Sequence, residues 1–165
     1  MVDVIGDPDL YRFIPFDPPI LEKLQQRYKR WEARISPEQD EIWLNWVARL
    51  KPDGPYIGDF QVGYKENREA NIAYRLAKLY QSQGFATEAL RKIIDILFNN
   101  LDILSVKAWV DTRNKRSIAL VKKLGLMQVD FITRADHFKG EDSDEFVFEM
   151  RSEDYGRKEI PLPHG

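Results

Sequence analysis

The sequence predicts an α+β domain with an α/β-like centre, a mixed and mostly antiparallel sheet with helices on both faces. Three observations lead there. A strand-like run at residues 70–76, a long amphipathic helix and a second strand-like run at 106–111 follow one another, a spacing that makes the two strands parallel neighbours through a crossover. Hairpin patterns stand on either side of that unit, at 41–64 and 127–151, and add antiparallel strands. At 165 residues, 43% hydrophobic and 32% charged, the chain has the size and composition of one globular domain.

The elements follow in order. Residues 1–19 carry Gly6, Pro8, Pro15, Pro18 and Pro19 and read as an ordered loop. Leu21, Leu24, Tyr28, Trp31 and Ile35 recur at helical spacing, which predicts a helix over 20–35 that Ser36-Pro37 ends. Residues 41–50 alternate, with Ile42, Leu44, Trp46, Ala48 and Leu50 on one face and Trp43, Asn45, Val47 and Arg49 on the other. The turn cluster Lys51-Pro-Asp-Gly-Pro55 returns the chain into a second strand over 56–64. The strand at 70–76 places Ile72, Tyr74 and Leu76 on one face. Leu90, Ile93, Ile94, Leu97, Phe98 and Leu101 then form the clearest helical stripe in the chain. A helix over 115–124 stops at Gly125, and strands at 127–137 and 145–151 are joined by a polar turn over 139–144. Residues 1–151 form one domain in this reading, and 152–165 a polar, mobile tail.

Composition excludes several chemistries. A net charge of −2 and a pI near 5.8 give no electrostatic footprint for nucleic acid. With no cysteine and only His137 and His164 as imidazoles, thiolate chemistry is excluded, and neither a metal site nor a Ser-His-Asp triad is expected. No apolar run reaches the roughly 20 residues of a membrane span, and no signal-peptide pattern opens the chain. The expected location is the cytoplasm, without membrane contact.

The junction into the long helix reads Tyr80-Gln-Ser-Gln-Gly-Phe-Ala-Thr-Glu-Ala89. Gly84 permits a tight turn, Ala86 keeps the surface low, and Thr87-Glu88 opens the helix. Amides at a helix start lack intrahelical acceptors and carry the positive end of the helix dipole, a combination suited to phosphate. Alone, the junction is equally a helix start with a convenient glycine.

Gln81-Ser-Gln-Gly-Phe-Ala86 resembles the Q/R-x-x-G-x-G/A coenzyme A motif of the GNAT acetyltransferase superfamily. Its continuation Thr87-Glu88-Ala89 is similar to the branch that acetylates ribosomal-protein N-termini. Asn71–Leu76 resembles the strand that leads into the motif, and Val106–Asp111 the strand after the helix. Asn114-Lys-Arg-Ser117 with Lys123-Leu-Gly-Leu126 resembles that branch's N-x-x-S…k-l-G-F segment. The resemblance covers roughly residues 41–150.

It implies two central parallel strands that splay apart, with the pantetheine arm of acetyl-coenzyme A (acetyl-CoA) in the opening and an amine as acceptor. Leu76, Ala77 and Lys78 would line that arm. Gln81, Gln83, Gly84, Phe85, Ala86 and Thr87 would surround the pyrophosphate, and Asn114 would bind the cofactor's pantetheine or phosphate region. Ser82 stands where the branch has glycine, which removes freedom at positive φ. Many relatives place a tyrosine in the last helix to protonate the departing thiolate. Val121 occupies that position, so Ser117, in register with the branch's serine, is the candidate acid. Asp136, in Thr133-Arg-Ala-Asp-His137, is the candidate base, with Glu41, Glu69 and Tyr74 as weaker alternatives. Each has a plainer reading: Asn114 as a helix N-cap with Ser117 in the first turn, Asp136 as an exposed carboxylate beside a turn, and Trp43, Trp46 and Trp109 as core aromatics.

Relative to the family, the first strand and helix before Asp7–Phe13 are not visible. The strand at 41–50 is then an exposed edge, and a second copy of the chain or the C-terminal tail is expected to cover it. The acceptor stays open between a peptide N-terminus and a small amine. Two other readings compete with the enzyme: a non-catalytic acyl-CoA-binding module and a structural dimerisation domain.

Overall fold

The computed structural model describes residues 2–51 and 53–156; His164 and most of the expected tail lie outside that range. Two short N-terminal turns, α1 (Val2–Ile5) and a 3-10 turn (Pro8–Tyr11), precede α2 (Leu21–Glu32). Then come β1 (Ile42–Arg49), β2 (Tyr56–Tyr64), β3 (Glu69–Leu76), α3 (Phe85–Asn99), β4 (Ser105–Asp111), α4 (Lys115–Leu124), β5 (Met127–Phe138) and β6 (Glu141–Arg151). The six strands form one sheet in the order β1-β2-β3-β4-β6-β5. Only β3 and β4 run parallel, and the other pairings are antiparallel. The mixed sheet expected from the sequence is therefore the one observed.

Side-chain alternation divides the sheet into two faces. One carries Phe60, Val62, Ala70, Ile72, Val106, Ala108, Val110 and Phe148, which pack with Leu90, Ile93, Ile94 and Leu97 of α3 and Val121 of α4 in the main core. Each of the Val, Ile, Leu and Phe side chains contributes about 1.5–3 kcal/mol by leaving water, which is why the stripe of α3 dictates where that helix lies. Gly125 at φ +98° ends α4, with its amide bonded to the Lys122 carbonyl and that of Leu126 to Val121.

The opposite face is covered at one end by the N-terminal segment. Tyr11 is fully buried there, its ring 5.7 Å from the Arg75 guanidinium. Arg75 forms a two-pronged ion pair with buried Asp59, at 2.9 and 2.6 Å. Burial works against the guanidinium charge, but the Asp59 contact outweighs it and holds the Arg75 pKa above its ordinary value. This pair fastens β2 to β3 and gives the N-terminal segment its seat.

Three expectations change. The helix over 20–35 stops three residues early, because Arg34 turns to φ +56° and Ile35 bridges to Ile42. The polar turn over 139–144 shrinks to Lys139-Gly140, both at positive φ, as a two-residue hairpin with matched twist demands. Glu141–Asp144 belong to β6; a polar outer face hid their alternation. Finally, Ser152–Asp154 form a 3-10 turn and Tyr155 packs on Phe98 at 5.0 Å, donating to Asp95. The described start of the tail thus lies on α3. It does not cover β1, where Ile42 and Val47 are exposed while Trp43 and Trp46 are half-buried. Among the described residues no helix is long and apolar enough to cross a membrane.

Removing one partner of a buried ion pair strands the other's charge. Asp59→Ala is expected to lower the unfolding free energy by about 3–5 kcal/mol, read by urea denaturation at neutral pH.

Candidate active site

The site begins where β3 and β4 part. Their ladder has three register positions, Glu69↔Ser105, Ala70↔Val106 and Asn71↔Lys107. Beyond Asn71, β3 stays with β2 as far as Leu76, while β4 stays with β6 as far as Asp111. The alternation of the β2–β3 ladder, which continues in the bond from the Ala77 amide to the Ile57 carbonyl at 2.8 Å, turns the amides and carbonyls of even-numbered β3 residues toward β4. The Tyr74 amide and carbonyl and the Leu76 amide therefore face a gap with no strand opposite. The Leu76 carbonyl is taken by the Gln81 side-chain amide at 2.8 Å.

After a 3-10 turn (Lys78–Tyr80), the chain enters α3 through Ser82 at φ +61° and Gly84 at φ +90°. Gly84 caps the helix without a side-chain acceptor, and the first helical bond runs from Glu88 to Gly84. The amides of Phe85, Ala86 and Thr87 are thus the free donors of the helix start. A Cβ added to Gly84 would meet nothing within 4 Å, so the ground above it is open. Gln81 braces the loop by also accepting from Arg116 at 2.6 Å, and Gln83 donates to the Leu79 carbonyl at 2.7 Å.

These features open into one cavity of about 400 Å³. Its walls include Leu76, Gln81, Gly84, Phe85, Ala86, Thr87, Asn114 and Ser117, residues from four separate stretches of sequence that the fold brings together. Four other expected residues lie elsewhere. Ala77 gives its amide to β2, and Lys78 pairs with Asp9 at 2.7 Å. Gln83 braces the loop from outside the cavity lining. Asp136 is exposed on β5, where its carboxylate accepts the His137 amide at 2.8 Å. Asn114 is the N-cap of α4, accepting the Ser117 amide at 3.2 Å.

Several lining residues carried no motif. Asp9, Leu10 and Phe13 close one side; their role depends on a contact across the chain that local pattern cannot show. Arg116 and Lys123 stand on α4 facing the helix start. Their i, i+7 spacing on one face was the available signal. Lys123 also borders a second depression with Gly84, Thr87, Arg91 and Lys92, where Glu88 and Asp95 offset part of the positive charge.

The opposite face of the opening is uncovered. Asn71 and Ala73 are exposed although β3 is a central strand, and Trp109 is 49% exposed. The Trp109 indole donates to the Asn71 side chain at 3.1 Å, so it spans the opening at its apex instead of joining the core. At the far end of β4, buried Asp111 accepts from Arg113 and from Ser143 at 2.8 Å. Burial acts to raise its pKa, but these bonds dominate and hold it below the ordinary value. Nearby Glu145 is half-buried, and burial, then Asp111 and Asp136, push its pKa up.

Residues 1–127 match the family model described as an acetyltransferase (GNAT) domain, and the chain belongs to that family. An uncharacterized N-acetyltransferase of Bacillus licheniformis is 31% identical over 91 residues, 55% of this chain and 51% of that protein. The chain spans about half the length of the first two curated relatives it matches. Among solved structures, RimJ of Mycobacterium smegmatis in complex with CoA-disulfide superposes with a TM-score of 0.79 at 18% identity, covering 94% of this chain and 76% of that one. Spermidine N-acetyltransferase of Vibrio cholerae in complex with CoA and spermine gives 0.76 at 15%, covering 92% and 88%. Both likenesses are of fold.

Because the Asp111 pKa is lowered on folding, its contribution is complete above about pH 5 and is lost as pH falls through the folded value. Unfolding free energy should therefore drop between pH 5 and pH 2, and Asp111→Asn should flatten that drop in denaturant titrations across the range.

Proposed function

We propose that the protein is an N-acetyltransferase that moves the acetyl group of acetyl-CoA to a primary amine. The observation that carries this reading is the separation of β3 from β4 directly beside the free amides of α3. An extended chain with amide groups fits the first, and a pyrophosphate fits the second. The pantetheine arm would replace the missing strand against Tyr74 and Leu76, and the pyrophosphate would sit on Phe85, Ala86 and Thr87, with Gly84 leaving it room. Arg116 and Lys123 would supply positive charge. The uncharged amide of Asn114 stays available to the arm while its carbonyl caps α4.

The acceptor would come from the uncovered face, over Asn71, Ala73 and Trp109, and meet the thioester at the apex. An amine attacks only when neutral, and an α-amino group near pKa ~8 reaches that state more readily than a lysine near ~10.4. Asp136 and Glu145 stand on this side as the carboxylates for proton removal. A base whose pKa is raised toward the working pH is the better one, which favours Glu145, with Asp136 acting on it through its charge. Ser117, in the cavity wall, is a hydroxyl that can pass a proton from solvent toward the sulfur end. Two acceptor classes remain in view: a peptide N-terminus, which the resemblance of the Asn114–Ser117 segment implies, and a small polyamine of the kind bound by the spermidine enzyme of similar fold; carboxylates such as Glu145 on this face suit either ammonium.

Acetyl-CoA is expected to raise the melting temperature, and thiol release against a panel of N-terminal peptides, polyamines and amino acids to identify the acceptor. No melting shift at millimolar acetyl-CoA would remove the reading. A shift without thiol release on any amine would leave a binding module instead of an enzyme. Gly84→Ala places a methyl at the phosphate position on a left-handed residue, at a stability cost of about 1–2 kcal/mol. Titration with acetyl-CoA should show affinity falling by tenfold or more.

A further inference from the structure

The cavity contains a polar group that neither binding nor folding accounts for. Tyr74 projects from β3 toward α4, its ring stacked on Phe60 with centroids 6.5 Å apart. Its hydroxyl is buried and has no hydrogen-bond partner. Buried hydroxyls without partners are disfavoured, and phenylalanine would fill the same space and keep the same stacking. Tyr74 and Ser117 both line the cavity. Burial raises the phenol's pKa, and the Ser117 hydroxyl offsets part of that rise, so Ser117 is its polar neighbour although the two do not meet as a geometric hydrogen bond. Tyr74 is thus held protonated, with its O–H free. On either side of it along β3, the backbone of Tyr74 and Leu76 faces the opening.

We propose that Tyr74 is a catalytic residue, the hydrogen-bond donor and acid to the sulfur that leaves when acetyl is transferred. The proposal rests on the acetyltransferase reading above and deepens it. The amine nitrogen forms its bond to the acetyl carbon, and the tetrahedral intermediate collapses by breaking the carbon–sulfur bond. The electron pair goes to sulfur, which takes the proton of the Tyr74 hydroxyl. A thiolate expelled beside the buried Tyr74 side chain loses hydration, which disfavours its charge, and a phenol in contact with it can supply the proton. The proton shed by the nitrogen leaves to solvent on the acceptor face. Tyr74 recovers its own from solvent through the Ser117 hydroxyl, which places Ser117 as the relay behind the phenol.

The test compares wild type, Tyr74→Phe and Ser117→Ala, using acetyl-CoA and the amine that gives the highest thiol release. Tyr74→Phe should retain the acetyl-CoA melting shift and the KM for the amine while kcat falls by about 100-fold or more. Ser117→Ala should lose less. Fluorotyrosines of graded acidity at position 74 should change kcat in step with phenol pKa, which a purely structural side chain would not do. A kcat within twofold of wild type in Tyr74→Phe overturns the assignment, as does a kcat indifferent to fluorination. Should wild type itself release no thiol, the acetyltransferase reading fails separately. Tyrosine ring-carbon NMR then still decides the contact. A Tyr74 resonance, assigned by its absence in Tyr74→Phe, moves on adding CoA if the phenol meets the sulfur; an unmoved resonance contradicts it.

Discussion

A strand in the middle of a sheet needs hydrogen-bond partners along both edges, and β3 has them along its whole length on one edge only. Its ladder with β4 ends at Asn71, and the next backbone groups on that side, at Tyr74 and Leu76, look into a cavity. Unpaired backbone in a dry interior costs free energy, so this parting is maintained by other forces. On one flank the buried Asp59–Arg75 pair holds β3 to β2. On the other, the full-length ladder from Ser105↔Arg151 to Asp111↔Glu145 holds β4 to β6. The core beneath, filled by α3, keeps both halves at fixed positions. The opening is a consequence of two strong sub-sheets sharing a short seam, and every proposed role depends on it.

The junction after β3 completes the site at a conformational cost. Ser82 and Gly84 both take left-handed backbone within three residues, a geometry that disfavours any side chain with a Cβ. Gln81 compensates by bonding the Leu76 carbonyl and receiving Arg116 from α4. One side chain thereby ties the end of β3, the loop and the last helix into one frame, which holds the free amides of α3 and the hydroxyl of Ser117 on the walls of the same cavity.

Much of this was legible in the sequence, for identifiable reasons. The stripe of α3, the glycine at its start and the N-x-x-S segment are local patterns, and the cavity walls contain most of the residues they named. Asn114 read as both cap and ligand, and the cap is visible in its bond to Ser117. What stayed hidden depends on distant contacts or on atoms without partners. Tyr74 stood only as a weaker candidate base on an otherwise apolar strand face, because nothing local reveals that its hydroxyl lacks a partner. Glu145 marked the expected start of a strand, yet its raised pKa comes from Asp111 and Asp136 in other elements. Asp136 followed from sequence register alone, and two irregularities in β5 set where it stands, exposed and outside the cavity.

In the proposed reading the arm of acetyl-CoA lies in the gap beyond Asn71, with its pyrophosphate on the start of α3. Residue-resolved hydrogen exchange with and without CoA tests it most directly. New protection is expected at the amides of Tyr74 and Leu76 together with Phe85, Ala86 and Thr87, with little change along the β1–β2 ladder. Protection confined to another surface, or CoA binding that leaves those five amides exchanging as before, would contradict it.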